Sequence, residues 1–379
     1  MKDIQFDENY MFWPGEEVEL EKTFEFKFTK EWNGNQEPNF KWLANAYYKC
    51  GELILNHAEK EGDDYDFKEN AIFPGIYLVR HSMELYLKSQ IKKSGHNLSK
   101  LLEENEKSLG IKTNDWLNLY ICNLTKIDEG SDYFRYPVIK AKNENLIDGE
   151  CETAIILDLN QTIENIKLAY ALIANMVDKT DLQIDTSKNS SEFLVQKKRT
   201  ANYSLKFIEE KDFEVDDFDR YIRLFLRVFY FLINDDSINN DQKCLPILFI
   251  LRHTIEISIK KLICKDCIYK NGSVPKMKKY GHDLNSLFKK SKEIIISKCK
   301  GNSNVFDHDE LSIVTEYIDE LNEFFKDENI FRYPTRNHGN TYILKEKIVN
   351  IEKIIFESLK LINFYDGCDE MLEVAYTNC

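Results

Sequence analysis

Apolar residues along most of this chain recur at intervals of three and four positions, the period of an amphipathic α-helix. The stripe is clearest in residues 42–54, and further helices are predicted at 160–177, 218–234, 310–325 and 342–364. Pro74 and Pro246 each suit the first turn of one more helix. Only the first 35 or so residues alternate with a period of two, which predicts a short strand or hairpin arm, and Ile155–Leu157 predicts another small strand.

The chain contains one set of landmarks twice, in the same order. They are a helix motif Arg-His-x-x-Glu-x-x-x-Lys (Arg80–Lys88 and Arg252–Lys260), a Gly-His-Asx-Leu turn (Gly95–Leu98 and Gly281–Leu284) and the tetrapeptide Phe-Arg-Tyr-Pro (Phe134–Pro137 and Phe331–Pro334). The extra residues of the second copy lie between landmarks, where loops tolerate insertions. Self-similarity at this long period predicts two fused domains rather than a solenoid.

The predicted organisation is therefore a short N-terminal extended arm followed by two tandem antiparallel helical bundles of four to five helices each. We place the arm at residues 1–35, the first bundle at 36–180, a polar linker at 181–215 and the second bundle at 216–379.

The net charge and the cysteine content limit the possible partners and the cellular compartment. A net charge of −14 argues against broad binding of duplex DNA, because phosphate neutralisation dominates such binding. The lysine-rich stretch 257–300, which includes Lys276, Lys278 and Lys279 beside Tyr280, is either a contact for a nucleic-acid backbone or a solvated loop. Nine cysteines without a secretion signal or membrane-length apolar run predict a cytoplasmic protein with no membrane partner.

Each helix motif places an arginine, a glutamate and a lysine one turn apart on a single face, with a histidine beside them. One interpretation is an ion-pair ladder that fixes how the helix docks against Phe-Arg-Tyr-Pro. The other is a polar cleft with a cation for phosphate and a histidine for proton transfer. The candidate binding residues on these helices are Arg80, His81, Glu84, Arg252, His253 and Glu256.

The second tetrapeptide continues with Arg336 and His338, which are four and six residues after Arg332. An arginine can hold a phosphate while a histidine moves the proton of a ribose 2′-hydroxyl, so this segment could cleave RNA without a metal. The first copy has no histidine close behind Arg135.

Other elements received simpler interpretations. In the Gly-His-Asx-Leu turns, histidine and Asx are predicted to cap the following helix, with Asn97 or Ser99 as the N-cap in the first copy. Cys264 and Cys267 form only half of a metal site, so no metal is predicted. Phosphate-loop, dinucleotide-binding, hydrolase and zinc-protease motifs are absent from the sequence, and no cofactor is predicted.

These landmarks resemble the HEPN superfamily of small helical bundles, over residues 40–180 and 216–365. The residues that carry the resemblance are Glu84, Lys88, Glu256, Lys260, the two Gly-His-Asx-Leu turns and the two Arg-Tyr-Pro segments. The resemblance implies a metal-independent endoribonuclease of phage-defence or toxin–antitoxin systems, with two modules that face a shared cleft.

On that resemblance Arg332 and His338 are the catalytic pair, assisted by Arg336, and Arg135 and Tyr333 join the binding residues named above. The implied partners are RNA, a protein partner or an antitoxin, and the tandem arrangement supplies a pseudo-dimer within one chain, with homo-oligomers as a further option. Tyr333 stands directly after the arginine, where many active members have asparagine. The alternative is a catalytically inactive HEPN-like scaffold that holds a partner protein, a nucleotide or RNA.

Overall fold

A computed structural model describes residues 25–27, 40–60, 65–91, 95–136, 154–157, 159–180, 184–193, 203–206, 216–272, 281–299, 312–319, 331–334 and 348–377. These residues are mainly helical, which confirms the predicted all-α class. The helices in chain order are α1 (Phe40–Lys60), α2 (Tyr65–Lys88), α3 (Leu98–Leu109), α4 (Asp115–Ile127), α5 (Leu159–Asp178), α6 (Asp216–Asn234), α7 (Asn240–Asn271), α8 (Leu284–Cys299), α9 (residues 312–319) and α10 (Ile351–Thr377).

Asparagine side chains define where several helices begin. Asn97 Oδ1 accepts a hydrogen bond from Lys100 N at 3.0 Å, which confirms the predicted cap of α3. Asn114 and Asn239 cap α4 and α7 in the same way. Each of these caps satisfies one of the first-turn N–H groups, which have no partner within the helix.

The prediction that Pro74 and Pro246 open their helices was wrong. α2 begins at Tyr65 and α7 at Asn240, so both prolines lie inside a helix. An interior proline removes the hydrogen bond to the carbonyl four residues earlier and crowds that carbonyl, but the helix continues on both sides of it, and in α7 the Asn239 cap sets the start ahead of Pro246. The last helix also begins later than predicted, at Ile351.

Four short strands pair two by two. β2 (Ala154–Leu157), which includes the predicted strand, pairs antiparallel with β3 (Tyr203–Lys206). β1 (Glu25–Lys27) lies in the predicted N-terminal arm and pairs antiparallel with β4 (Ile348–Asn350), directly before α10.

The other helices pack around α2 and α7, the two motif helices, which contain the Arg-His-x-x-Glu-x-x-x-Lys sequences. α2 packs against α1, α3 and α5, and α7 packs against α6, α8 and α10. α1 and α2 also touch α6 and α7, so the two copies are in contact. Part of the predicted linker packs on the first copy as well, because Phe193 is buried against Phe134 and Tyr120, and Trp116 Nε1 donates to Asn189 O at 2.9 Å.

No helix within the described ranges combines the length and the apolar character that spanning a bilayer requires.

Candidate functional site

The tyrosine of each Phe-Arg-Tyr-Pro segment reaches the motif helix of the opposite copy. Tyr333, from the second copy, donates to Glu84 Oε1 on α2 at 2.7 Å. Tyr136, from the first copy, donates to Glu256 Oε1 on α7 at 2.9 Å. We call this pair of crossed bonds the reciprocal contact.

The neighbouring histidines hold the same segments through the backbone. His81 Nε2 lies 3.0 Å from Arg332 O, and His253 Nε2 lies 2.9 Å from Arg135 O. A carbonyl only accepts, so each histidine carries its proton on Nε2 and donates. Burial, followed by the Arg332 cation, lowers the pKa of His81 well below its ordinary value, and burial lowers the pKa of His253 to about 3. Both rings are neutral, fully enclosed and bound to protein, so the structure gives them a positioning role.

The predicted ion-pair ladder is present on both helices and is buried. Glu84 Oε1 lies 2.8 Å from Lys88 Nζ, and Oε2 pairs with Arg80. Burial alone would raise the pKa of Glu84, but the Lys88 ammonium, a hydrogen bond from His96 and Arg80 hold it well below its usual range.

In the second copy, Glu256 Oε1 lies 2.6 Å from Lys260 Nζ, and Oε2 lies 3.1 Å from Arg252 Nη1. The pKa of Glu256 is likewise low, because the His282 hydrogen bond, Lys260 and Arg252 outweigh its burial. Each glutamate is therefore a buried anion to which a tyrosine of the other copy donates.

The histidines of the Gly-His-Asx-Leu turns contact the same buried glutamates and tyrosines, which sequence reasoning missed. We call each set, which consists of the glutamate, its arginine and lysine, the tyrosine from the other copy and this histidine, a cluster. His96 Nδ1 lies 2.9 Å from Glu84 Oε1 and 3.1 Å from Tyr333 OH. His282 Nδ1 lies 2.8 Å from Glu256 Oε1 and 3.0 Å from Tyr136 OH. The prediction that these histidines act as helix caps was wrong, because the caps are the Asx residues that follow.

His96 and His282 are also the most accessible members of their clusters, with 40% and 41% of their side chains exposed. The sequence contained a signal for this role. Both copies have a histidine directly before the Asx that caps the helix, so capping does not explain why the histidine is repeated. Each cluster thus presents one half-exposed imidazole whose other edge is fixed by a buried carboxylate.

Aromatic rings fill the space between the two motif helices. Tyr77 of α2 stacks on Phe249 of α7 with ring centroids 5.2 Å apart, and the two residues occupy equivalent positions in the repeats. The Arg135 guanidinium lies 5.5 Å from the Tyr77 ring and that of Arg332 lies 5.9 Å from the Phe249 ring. Each arginine therefore covers the motif helix of its own copy while the next tyrosine crosses to the other.

The two arginines differ in their polar partners. Arg135 donates from Nε to Ser131 O at 2.7 Å and pairs with Asp132 Oδ1 at 2.5 Å. Arg332 is only 3% exposed and donates to Tyr333 OH at 3.3 Å, and its Nε has no hydrogen-bond partner. Within the described ranges Arg332 makes no ion pair with a carboxylate. In this arrangement its guanidinium does not face solvent or an open cleft.

Arg336 and His338, the other two predicted catalytic residues, lie outside the described residues. Their chemistry stays a prediction from the sequence.

The two cysteines of the half-site are placed on α7. Cys264 is buried, which raises the pKa of its thiol to about 12, and Cys267 is partly exposed. Among the residues that the structure describes, no group of three or more histidine, cysteine or acidic side chains is arranged to hold a metal ion.

Comparisons of the chain with protein-family models, curated proteins and solved structures gave no match.

Proposed function

We propose that the two repeats fold as two helical bundles that close into an intramolecular pseudo-dimer. We further propose that this HEPN-like unit is a catalytically silent binding module for RNA or a partner protein, in bacterial phage defence or a toxin system. The reciprocal contact is the observation that carries this proposal. It uses the Tyr333 hydroxyl to join the two copies, and His81 holds the backbone carbonyl of Arg332, so the segment that the ribonuclease hypothesis needs at a substrate phosphate is docked on α2 instead.

The burial of Arg332 supports the same proposal. A guanidinium that is 3% exposed, with its neighbour Tyr333 bonded to Glu84, cannot reach a phosphate unless the segment leaves α2. Arg80, His81, Arg252 and His253 are also enclosed, so among the described residues that surround Glu84 and Glu256, His96 and His282 are the most accessible.

A second candidate is the metal-independent endoribonuclease, in which His338 moves the proton, Arg332 binds the phosphate and Arg336 assists electrostatically. One observation favours it: Arg332 is a buried cation without a carboxylate partner in the described part of the chain, and such groups are typical of functional sites. This candidate requires the Tyr333–Glu84 bond to open.

The deciding experiment incubates the wild type and His338→Ala with total RNA in the presence of a chelator, and follows both cleavage and binding. A binding module retards RNA on a native gel, more weakly at high salt, and neither protein cleaves it. Cleavage by the wild type that disappears in His338→Ala would establish the second candidate instead. If RNA is neither retarded nor cleaved, RNA is not the ligand.

A further inference from the structure

The arginines of the two Phe-Arg-Tyr-Pro segments are buried together where the copies meet. Arg135 is 4% exposed and Arg332 is 3% exposed. Arg135 lies over the ring of Tyr77 and Arg332 over that of Phe249, and these two rings stack on each other. Two buried cations at one place are costly unless acceptors or anions compensate them.

Arg135 receives this compensation from its own copy. Its Nη2 pairs with Asp132 Oδ1 at 2.5 Å, and its Nε donates to Ser131 O at 2.7 Å. A carboxylate and a carbonyl thus satisfy the guanidinium of the first copy.

Arg332 has no such partner, although the repeat offers the equivalent position. The residue three positions before the arginine is Asp132 in the first copy and Asn329 in the second, so the negative charge is lost from the sequence. Within the described ranges the Arg332 side chain donates one hydrogen bond, to Tyr333 OH at 3.3 Å, and its Nε has no partner. The rings of Phe249 and Tyr333 stabilise the cation, but they do not replace the acceptors that its N–H groups need.

The Tyr77 hydroxyl is a second buried donor without a partner at this place. The side chain is fully buried and its oxygen makes no hydrogen bond. Burial raises the pKa of Tyr77, and Arg332 and then Arg135 oppose this rise, so both cations act on the hydroxyl. Its counterpart in the other repeat is Phe249, which has no hydroxyl.

The two copies therefore differ at two equivalent positions, and the differences are complementary. The first copy supplies a carboxylate to its arginine, whereas the second supplies none. The helix that Arg332 meets carries an unsatisfied hydroxyl, Tyr77, in place of a phenyl ring. Donors without an acceptor thus collect on the Arg332 side alone.

We propose that a chloride-size monovalent anion binds between the Arg332 guanidinium and the Tyr77 hydroxyl and supplies the charge that Asp132 gives to Arg135. A halide accepts donors from several directions and needs little space, which suits side chains that are at most 4% exposed. An RNA phosphate cannot enter this place while the copies stay joined. The anion therefore holds the closed arrangement together.

The inference rests on the joined copies of the proposed function, and it does not depend on RNA. Cleavage and retardation of RNA test the proposed function, whereas the response of stability to chloride tests the anion site. Failure of one is therefore distinguishable from failure of the other.

The test is urea denaturation of the full chain at constant ionic strength, with sodium gluconate replaced stepwise by sodium chloride. Gluconate is too large for the site and serves as the background anion. Chloride that binds only the folded chain should lower the unfolding equilibrium constant ~10-fold for each tenfold rise in its concentration above the dissociation constant. An unfolding constant that does not change with chloride would overturn the proposal.

Matched variants place the effect at this site. Tyr77→Phe copies Phe249 and should raise the dissociation constant of chloride ~10-fold, because one donor is removed. The control is Tyr120→Phe, which removes a hydroxyl on α4 that is equally buried and also has no partner, and it should keep the response of the wild type. Equal responses in these two variants would place the anion elsewhere and overturn the proposal. Arg332→Met should lose the response, so its stability is compared with the wild type in gluconate.

Diffraction from crystals of the wild type grown in bromide locates the ion without any variant. We expect an anomalous peak in contact with both Arg332 and Tyr77. Density at this place without an anomalous signal would identify a water molecule, and that result would overturn the proposal, as would the absence of any density.

Discussion

The Tyr333 hydroxyl lies 2.7 Å from Glu84 Oε1, although the two residues are 249 positions apart and belong to different copies of the repeat. The equivalent bond from Tyr136 to Glu256 runs in the opposite direction along the chain. Each copy therefore completes the buried anion site of the other. Neither cluster is whole within its own repeat, so the stability of one copy depends on the other.

A double-mutant cycle can test the crossed arrangement directly. Tyr333→Phe removes a hydrogen bond to a buried carboxylate and should lower the free energy of unfolding by about 1.5–3 kcal/mol. Combined with Glu84→Gln, the effects should be non-additive by 1 kcal/mol or more, in the ~0.5–3 kcal/mol range seen for residues in contact. Urea denaturation of the four proteins measures the coupling.

The matched control combines Tyr333→Phe with Glu256→Gln, the glutamate of its own copy. These residues share no hydrogen bond in the structure, so their effects should add within about 0.5 kcal/mol. Coupling to Glu256 and additivity with Glu84 would show that the segments dock within their own copies.

The buried histidines predict how stability depends on pH. The pKa of His253 is about 3 in the folded chain, because of burial, against about 6.5 when exposed in the unfolded chain. Between these values only the unfolded chain binds the proton, so the free energy of unfolding falls as pH falls below about 6.5. The expected slope is about 1.4 kcal/mol per pH unit for this histidine, and His81 acts in the same direction.

His253→Gln keeps an N–H donor near Arg135 O and removes the titration. Denaturation between pH 5 and 6.5 should therefore show a smaller slope than that of the wild type, by about 1.4 kcal/mol per pH unit near pH 5 and by roughly half of that near pH 6.5. This range lies above the low pKa values of Glu84 and Glu256, so both ladders stay ionised. An unchanged slope in the variant would mean that His253 is accessible to protons in the folded state.

The helices and the ion-pair ladders could be predicted from the sequence because both depend on local spacing. Arg80 and Glu84, one helical turn apart, pair whatever surrounds them. The crossing could not be predicted in this way. A repeated motif offers Tyr333 two chemically equivalent glutamates, Glu84 and Glu256, and only three-dimensional packing selects one.

The missed residues have a similar explanation. The Asn97 cap accounts for the start of α3 by itself, and no local spacing rule connects the preceding His96 to Glu84, so only the repetition of the histidine in both copies indicated a shared role.

The close approach of α1 and α2 predicts a strong dependence on Gly51. A Cβ at Gly51 would lie 2.7 Å from Val79 Cγ2 and 3.0 Å from the backbone oxygen of Gly75. Overpacking costs about 1–3 kcal/mol and helix propensity offsets roughly 1 kcal/mol of it; because the clash involves backbone, we expect the upper half of the cost, and Gly51→Ala should lower the free energy of unfolding by up to about 2 kcal/mol.

Gly75→Ala is the matched comparison. Its three nearest contacts are side-chain atoms, Leu55 Cδ2 at 2.9 Å, Leu55 Cγ at 3.0 Å and Ile54 Cγ2 at 3.2 Å, and side chains shift more readily than the backbone oxygen that Gly51 would meet. The same gain in propensity should leave Gly75→Ala nearly neutral, within about 1 kcal/mol of the wild type. Equal losses at both glycines, measured by urea denaturation, would show that the backbone contact at Gly51 does not limit the packing.

Arg332 and Arg135 should respond in opposite ways to replacement by methionine. Arg135→Met leaves the Ser131 carbonyl and Asp132 without their partner, and we expect a loss of about 1–3 kcal/mol. Arg332→Met removes a buried cation with no carboxylate partner in the described part of the chain, and such replacements are often neutral or stabilising. Its free energy of unfolding should stay within about 1 kcal/mol of the wild type or rise.

The same pair of variants bears on function. A buried cation that does not stabilise the fold is maintained for another reason, and RNA cleavage after release of Tyr333 from Glu84 is the reason that the second candidate offers. If Arg332→Met is as stable as the wild type and RNA cleavage is lost, the arginine serves chemistry. If Arg332→Met instead unfolds as readily as Arg135→Met, the guanidinium is structural, and the silent binding module gains its strongest support.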